Sequence, residues 1–207
     1  IYGNVHSNGT LIGQGWCQGK VTASDVATWT GTGPPASVTS AASPVTIPST
    51  TQTQGSYQGQ CIFDPYYTIQ GRTYQGYTAF TTKDITASDA AALNLIDMSA
   101  TNPGRVILAN RGDIHLRAGV QINGTLVVTG KLIPDDPGTI GITAVPGFPA
   151  VVTTHDIKIN KDYCNITING SVICAGLIDG NNRSNCTFSV TGACISSQGI
   201  GNLKTNS

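Results

Sequence analysis

Few side chains in this sequence are placed to do chemistry. The one adjacent carboxylate pair, Asp135 and Asp136, lies in Ile133-Pro134-Asp135-Asp136-Pro137-Gly138. Two acids that hydrolyse a glycoside face each other across a cleft at about 5–9 Å. Neighbours flanked by Pro and Gly do not supply that geometry, and the segment reads as a tight turn. Asp113-Ile114-His115 and His155-Asp156 carry metal-ligand residue types. No third donor clusters with either, and a zinc site needs three or four. Strand neighbours also point to opposite faces, so these read as solvated strand residues. His6 reads as a surface residue beside a turn. Trp16 and Trp29 could stack on sugars, but two tryptophans in a strand-rich chain read as packing anchors. Gly-x-Ser-x-Gly, P-loop and dinucleotide fingerprints are absent. The sequence therefore predicts no catalytic residue, no cofactor and no metal.

Composition narrows the class. Charged residues make up 11% and the net charge is zero, against roughly 25% charged in an average soluble protein. A neutral chain has no electrostatic handle on nucleic acid or an anionic membrane. Ser, Thr, Asn, Gln and 25 glycines supply the polarity, a mixture suited to short strands broken by tight turns. No apolar run approaches the roughly 18–20 residues needed to span a bilayer. The chain opens on strand-like Ile1-Tyr2-Gly3-Asn4-Val5, which predicts a processed or excised chain.

The elements that must position these residues come from a repeat. Val5-His6-Ser7-Asn8-Gly9-Thr10-Leu11-Ile12 recurs as Val120 to Gly130, as Ile166 to Gly176, and more loosely as Phe188 to Ile195. A degenerate copy without Asn-Gly is Phe148-Pro149-Ala150-Val151-Val152. Gly124, Phe148, Gly170 and Gly192 are spaced 24, 22 and 22 residues apart. Within each copy apolar and polar residues alternate with period two, which is strand. A fixed period of this size signals stacked repeats. The sequence thus predicts an all-β fold, a right-handed parallel β-helix with rungs of about 22 residues. Val120, Ile122, Ile166, Ile168, Phe188 and Val190 should point inward before the turn. Leu126, Val128, Val172, Cys174, Cys194 and Ser196 should do so after it. Asn-Gly lets the backbone turn the corner at positive φ.

One domain is expected over residues 1–207, with a long insertion at 31–100. That insertion holds a Pro/Ser/Thr-rich loop, a Tyr-rich segment and one short helix at 87–98, opened by Thr86-Ala87-Ser88-Asp89. Six cysteines without a Cys-x-x-Cys spacing point to an oxidising compartment. Cys164 and Cys186 each lie six residues before a corner glycine, so they should stack within bridging range. Cys17 and Cys61 would then remain for each other. Cys174 and Cys194 are out of register by two and pair only if the last rung slips. Six Asn-x-Ser/Thr sequons occur, at Asn8, Asn123, Asn165, Asn169, Asn182 and Asn185. Part of that number is the repeat itself, whose turn is Asn-Gly-Thr/Ser; a glycosylated surface is the alternative.

Ile1-Tyr2-Gly3-Asn4-Val5-His6-Ser7-Asn8-Gly9 resembles the opening of a β-helical domain in bacterial type IV pilus assembly (minor-pilin-like) proteins. Ile122 to Leu132 is similar to that domain's central rung, and Phe148-Pro149-Ala150-Val151-Val152 and Thr167 to Val172 to the two that follow. Pilin-like members begin with an apolar anchoring helix that this sequence does not show. The resemblance implies an exported, envelope-associated protein without catalytic residues. The expectation is a non-catalytic structural or adhesive surface protein, extracellular or on the cell surface. Its partners would be copies of itself, head to tail, and surface glycans, with no nucleic acid and no membrane span. The rival expectation is a β-helix that binds or cleaves polysaccharide.

Overall fold

β-Branched residues alternate with small polar ones, and the backbone follows that period. Cys164–Asn169 buries its first, third and fifth side chains and exposes the other three. The computed structural model describes residues 5–7, 9–16, 19–33, 35, 37–43, 66–69, 71–80 and 82–202. Strands dominate, with one short helix.

From Tyr77 to Gly201 the chain visits three parallel sheets in rotation. The first sheet holds Gln121–Asn123, Gly138–Thr143, Cys164–Asn169 and Thr187–Val190. The second holds Tyr77–Thr78, Val106–Ala109, Thr125–Val128, Val151–Thr153, Val172–Cys174 and Cys194–Ser196. The third holds Asp84–Ile85, Ile114–Leu116, Leu132–Pro134, Ile157–Lys158, Ile178–Asp179 and Ile200–Gly201. Neighbouring strands in each sheet come from successive circuits. Leu126 lies beside Val151, Val151 beside Val172, and Val172 beside Cys194. These partners step by 25, 21 and 22 residues, so the degenerate copy sits one residue later than the sequence suggested. Pro149, rather than Phe148, takes the corner place held by Gly124 and Gly170. Phe148 is freed to pack outside the second sheet, edge-on to Tyr67 at 5.8 Å.

The interior is a column of Val, Ile and Leu. Val120, Ile122, Leu126, Val128, Ile166, Ile168, Val172, Cys174 and Ser196 are buried as expected, and Phe188, Val190 and Cys194 pack on the column from partly buried positions. The second sheet is buried on its outer face too. Val106, Leu108, Val127, Val152 and Ile173 form an outer cluster with Tyr67, Tyr74 and Phe148. The two tyrosines come from the antiparallel hairpin Tyr66–Ile69/Arg72–Gln75. The Tyr67 hydroxyl donates to Asn102 Oδ1 at 2.6 Å and accepts from the Gly104 N–H. Burial pushes its pKa up to about 12.

The helix runs Ala87–Asn94, shorter than the expected 87–98, with the Thr86/Asp89 capping box formed. Past its end Arg105 donates to the carbonyls of Leu93 and Ile96, and Leu93 O also accepts from the Ile96 N–H. Asn94 Nδ2 donates to Gln121 O at 2.7 Å and Asn94 Oδ1 accepts from Asn123 N at 3.0 Å. One side-chain amide thus stands in for a neighbouring strand at the open edge of the first sheet.

The expected insertion at 31–100 is narrower than the sequence suggested. Ser37–Thr39, Tyr77–Thr78 and Asp84–Ile85 belong to parallel sheets. The N-terminal strands also pair among themselves, Val5–Ser7 with Lys20–Ala23 and then Ser37–Thr39, and Leu11–Trp16 with Ala27–Gly33. They sit at the far end of the stack. Val5–Ser7 lies against Cys194–Ser196, and Leu11–Trp16 against Ile200–Gly201. Ile200 packs on the main core and on the small N-terminal core of Val5, Leu11, Val21 and Ala23. The first strands of the chain therefore adjoin its last circuit.

Candidate functional site

Among the described residues, the densest group of ionisable side chains lies where the third sheet turns toward the first. Asp84, His115 and Ile133 are register partners on successive strands, and Leu116 partners Pro134. Arg117 and Asp135 follow directly, so the same register carries them together. The Arg117 guanidinium pairs with Asp84, with Asp135 Oδ2 at 3.4 Å and with Asp136 Oδ1 at 3.3 Å. Asp135 Oδ2 also meets His115 Nδ1 at 2.9 Å, and its other oxygen accepts from Asn160 Nδ2 at 2.7 Å. Nδ1 must carry the proton to donate there. Asp136 Oδ2 accepts from the Ala118 N–H. The cluster thus links residues of four successive circuits.

Its electrostatics hold the Asp135 carboxyl ionised. Burial works to raise the Asp135 pKa, but the Asn160 and His115 hydrogen bonds and the His115 and Arg117 charges outweigh it and hold the carboxyl below the usual range. Burial likewise works against the Arg117 charge, and Asp84 foremost, with Asp136 and Asp135, raises its pKa in spite of it. A glycosidase general acid needs the opposite shift, a carboxyl raised toward neutrality. The turn expected at Asp135-Asp136 exists, and both of its acids pair with Arg117.

The other residues of metal-ligand type, expected as solvated strand residues, lie at bends and corners and are drawn apart. Asp113 Oδ1 accepts from the Lys131 N–H at 2.8 Å. Asp156 accepts from the Leu177 N–H and meets Lys131 Nζ at 3.3 Å, while His155 Nδ1 contacts Thr154 Oγ1. Among the described residues no three His, Cys, Asp or Glu side chains gather as metal ligands. All eleven acids of the chain are aspartates, and several work as corner clamps. Asp162 accepts from the Ser184 N–H and Asp179 from Asn202 Nδ2, each a residue of the next circuit. Buried hydroxyls do the same on the inside. Thr153 Oγ1 donates to Gly130 O at 2.7 Å and Ser196 Oγ to Gly176 O at 2.7 Å.

Sequence reasoning singled out neither Arg117 nor the outer face of the first sheet. Gln121, Asn123, Thr139, Thr143, Asn165, Thr167, Asn169, Thr187 and Ser189 form columns there, without a charged or large apolar side chain. The described sequon asparagines, Asn123, Asn165, Asn169, Asn182 and Asn185, are all exposed. Their hydroxyl partners differ. Thr167 stands exposed beside Asn165, whereas Thr125, the partner of Asn123, is buried and donates to Pro149 O. Asn8 lies outside the described residues. A groove of about 510 Å3 outside the second sheet is lined by Ala144–Pro149, Asn169–Ser171, Ile173, Ala193 and Ile195. None of these side chains titrates.

The cysteines keep the expected register without the expected bond. Asn165 pairs with Thr187, so Cys164 and Cys186 stack one circuit apart, yet both are free thiols. Cys186 Sγ is turned to the Lys161 carbonyl at 3.2 Å, which accounts for the open pair. Cys174 partners Ser196 and Cys194 partners Val172, so those two remain out of register and free. Burial pushes Cys164 and Cys174 up to about 11 and Cys194 to about 12. Cys17 and Cys61 lie outside the described residues. Trp29 packs on the small N-terminal core as an anchor. Among the described residues no helix is long and apolar enough to cross a membrane. No protein-family model matches this chain, and neither the curated proteins nor the solved structures contain a match to it.

Proposed function

We propose that this chain is a right-handed parallel β-helix that serves as an exported, non-catalytic structural or adhesive surface protein, a subunit of an extracellular filament. The observation that carries the reading is the use of its acids: Asp84, Asp113, Asp135, Asp136, Asp156, Asp162 and Asp179 all hold parts of one circuit to another. A catalytic cleft needs convergent groups free to meet a substrate, and here those groups serve cohesion. The crossover rule, which about 98% of parallel connections obey, supports the right-handed reading. The likeness to the β-helical domain of pilin-like proteins and the exposed sequons, Asn165 foremost, support export.

A second reading keeps a ligand on the neutral first-sheet face, whose hydroxyls and amides suit a neutral polysaccharide bound without cleavage. Electron microscopy of the native material, with turnover assays on neutral and acidic polysaccharides, separates the readings. Filaments and no turnover are expected. Turnover that disappears in Asp135→Asn or Asp136→Asn defeats the proposal.

A further inference from the structure

We infer that the N-terminal strands, Val5–Ser7 through Ser37–Thr39, are the joint between subunits and seat on the C-terminal circuit of a second copy of this chain. This rests on the filament reading above and states how its subunits meet. The seat itself is on the page. Val5–Ser7 lies against Cys194–Ser196 and Leu11–Trp16 against Ile200–Gly201. Ile200 joins the two cores. Gly199, at φ +96°, leaves its Cβ position 3.8 Å from Ser7 Oγ and from Thr10 O.

Chain order favours a second copy. From Tyr77 to Gly201 every sheet neighbour belongs to the next circuit in sequence, as short connections require. The seat breaks that order within one copy, because it joins the first strands to the last. Between copies the order is restored: the N-terminal strands cover the end of one subunit, and the chain then proceeds into its own Tyr77 circuit. Reach permits the exchange. A chain of 22 residues, the number from 44 to 65, can span at most roughly 70 Å at about 3.3 Å per residue. The way back from Tyr67, beside Val106 and Val127, to Ser37–Thr39 is about six strand spacings, roughly 29 Å. A connection this long leaves the seat free to be filled by either copy, the condition for exchange of an identical element. The two surfaces that meet are different, so the contact is heterologous and propagates unless its rotation closes.

The test uses the full chain carrying a photo-crosslinking benzophenone side chain at position 10. Natural-abundance and 15N-labelled pools are mixed while unfolded, refolded together, irradiated and read by mass spectrometry. Cross-links between residues 5–16 and 194–201 that join light to heavy chains, about half of all such links for random pairing, are expected. Light–light and heavy–heavy links alone overturn the inference, and so does the absence of any link between these segments. Electron microscopy of the same sample separates it from the filament reading. Mixed links in closed dimers keep the joint and remove the filament. Filaments without mixed links keep the filament and remove this joint.

Discussion

The corner glycines give the sharpest test of how the circuits stack. Gly192 lies over Gly170, and an added Cβ would fall 2.5 Å from Gly170 C and 2.6 Å from Gly170 O and Ser171 N. Those are backbone atoms, so no side chain can swing aside and the circuits must separate. Gly192 follows Thr191 rather than an Asn and is absent from the positive-φ glycines: it serves the space and not the turn. Gly170 has φ +136° and its Cβ would meet Ala144 Cβ at 2.7 Å; Gly112 has φ +79° with nothing within 4 Å. The three alanine variants therefore separate two costs. Left-handed backbone costs roughly 1–2 kcal/mol, and forced overpacking roughly 1–3 kcal/mol. Gly112→Ala should lose about 1 kcal/mol, Gly192→Ala about 2–3 kcal/mol, and Gly170→Ala, which carries both, roughly 2–5 kcal/mol. At about 2–4 °C per kcal/mol for a chain of this size, Gly170→Ala should lower Tm by roughly 4–20 °C. Urea unfolding followed by circular dichroism gives the free energies. If Gly192→Ala is as mild as Gly112→Ala, the direct stacking of these corners is wrong.

The remaining expectations concern the charged cluster, the buried hydroxyls and the thiols. Because Asp135 is held below its unfolded value, its stabilisation is complete above about pH 4 and fades as pH drops through the folded value. Asp135→Asn should thus unfold at lower urea than the parent at pH 7 and show a shallower loss between pH 4 and 2; equal slopes would contradict the network. Ser196→Ala removes a buried donor shared by Gly176 O and Gly199 O, and should cost about 0.5–1.5 kcal/mol in denaturant titrations. At pH 8 a water-soluble alkylating agent should label half-buried Cys186 before Cys164 and Cys174, whose burial keeps them protonated; peptide mapping that finds Cys174 labelled first would count against the packing.

What the sequence made legible was local. Period-two alternation and the recurring Asn-Gly corners placed Ile122, Ile166, Ile168 and Val172 on the inside, because the pleat alone decides which way a strand residue points. Distance in sequence hid the rest. Arg117 lies 18 and 19 residues from Asp135 and Asp136, with no local pattern to mark it. The signal existed all the same, since Ile114 and Leu132 are register partners 18 residues apart. The same step takes Asp113 to Lys131, and a step of 22 takes Asp162 to Ser184. A ruler applied to polar residues as it was to apolar ones would have found the clamps. The seat of Val5–Ser7 against Cys194–Ser196 had no such ruler, because it joins strands at opposite ends of the repeat.

The distribution of charge and the nature of the two ends have one physical origin. A carboxylate at a corner reaches the N–H groups of the next circuit, as Asp156 reaches Leu177 and Asp113 reaches Lys131. With aspartates drawn to the corners, the outer face of the first sheet keeps only small neutral side chains. At one end of the stack Asn94 satisfies the open edge of that sheet through two hydrogen bonds. The second and third sheets begin there with strands of two residues, Tyr77–Thr78 and Asp84–Ile85, short edges that template little pairing. The other end carries the three- and two-stranded N-terminal sheets and their own small core. One end is thus blunted and the other is built outward from apolar residues. A contact between unlike ends is heterologous, so an assembly built through it runs in one direction unless its rotation closes.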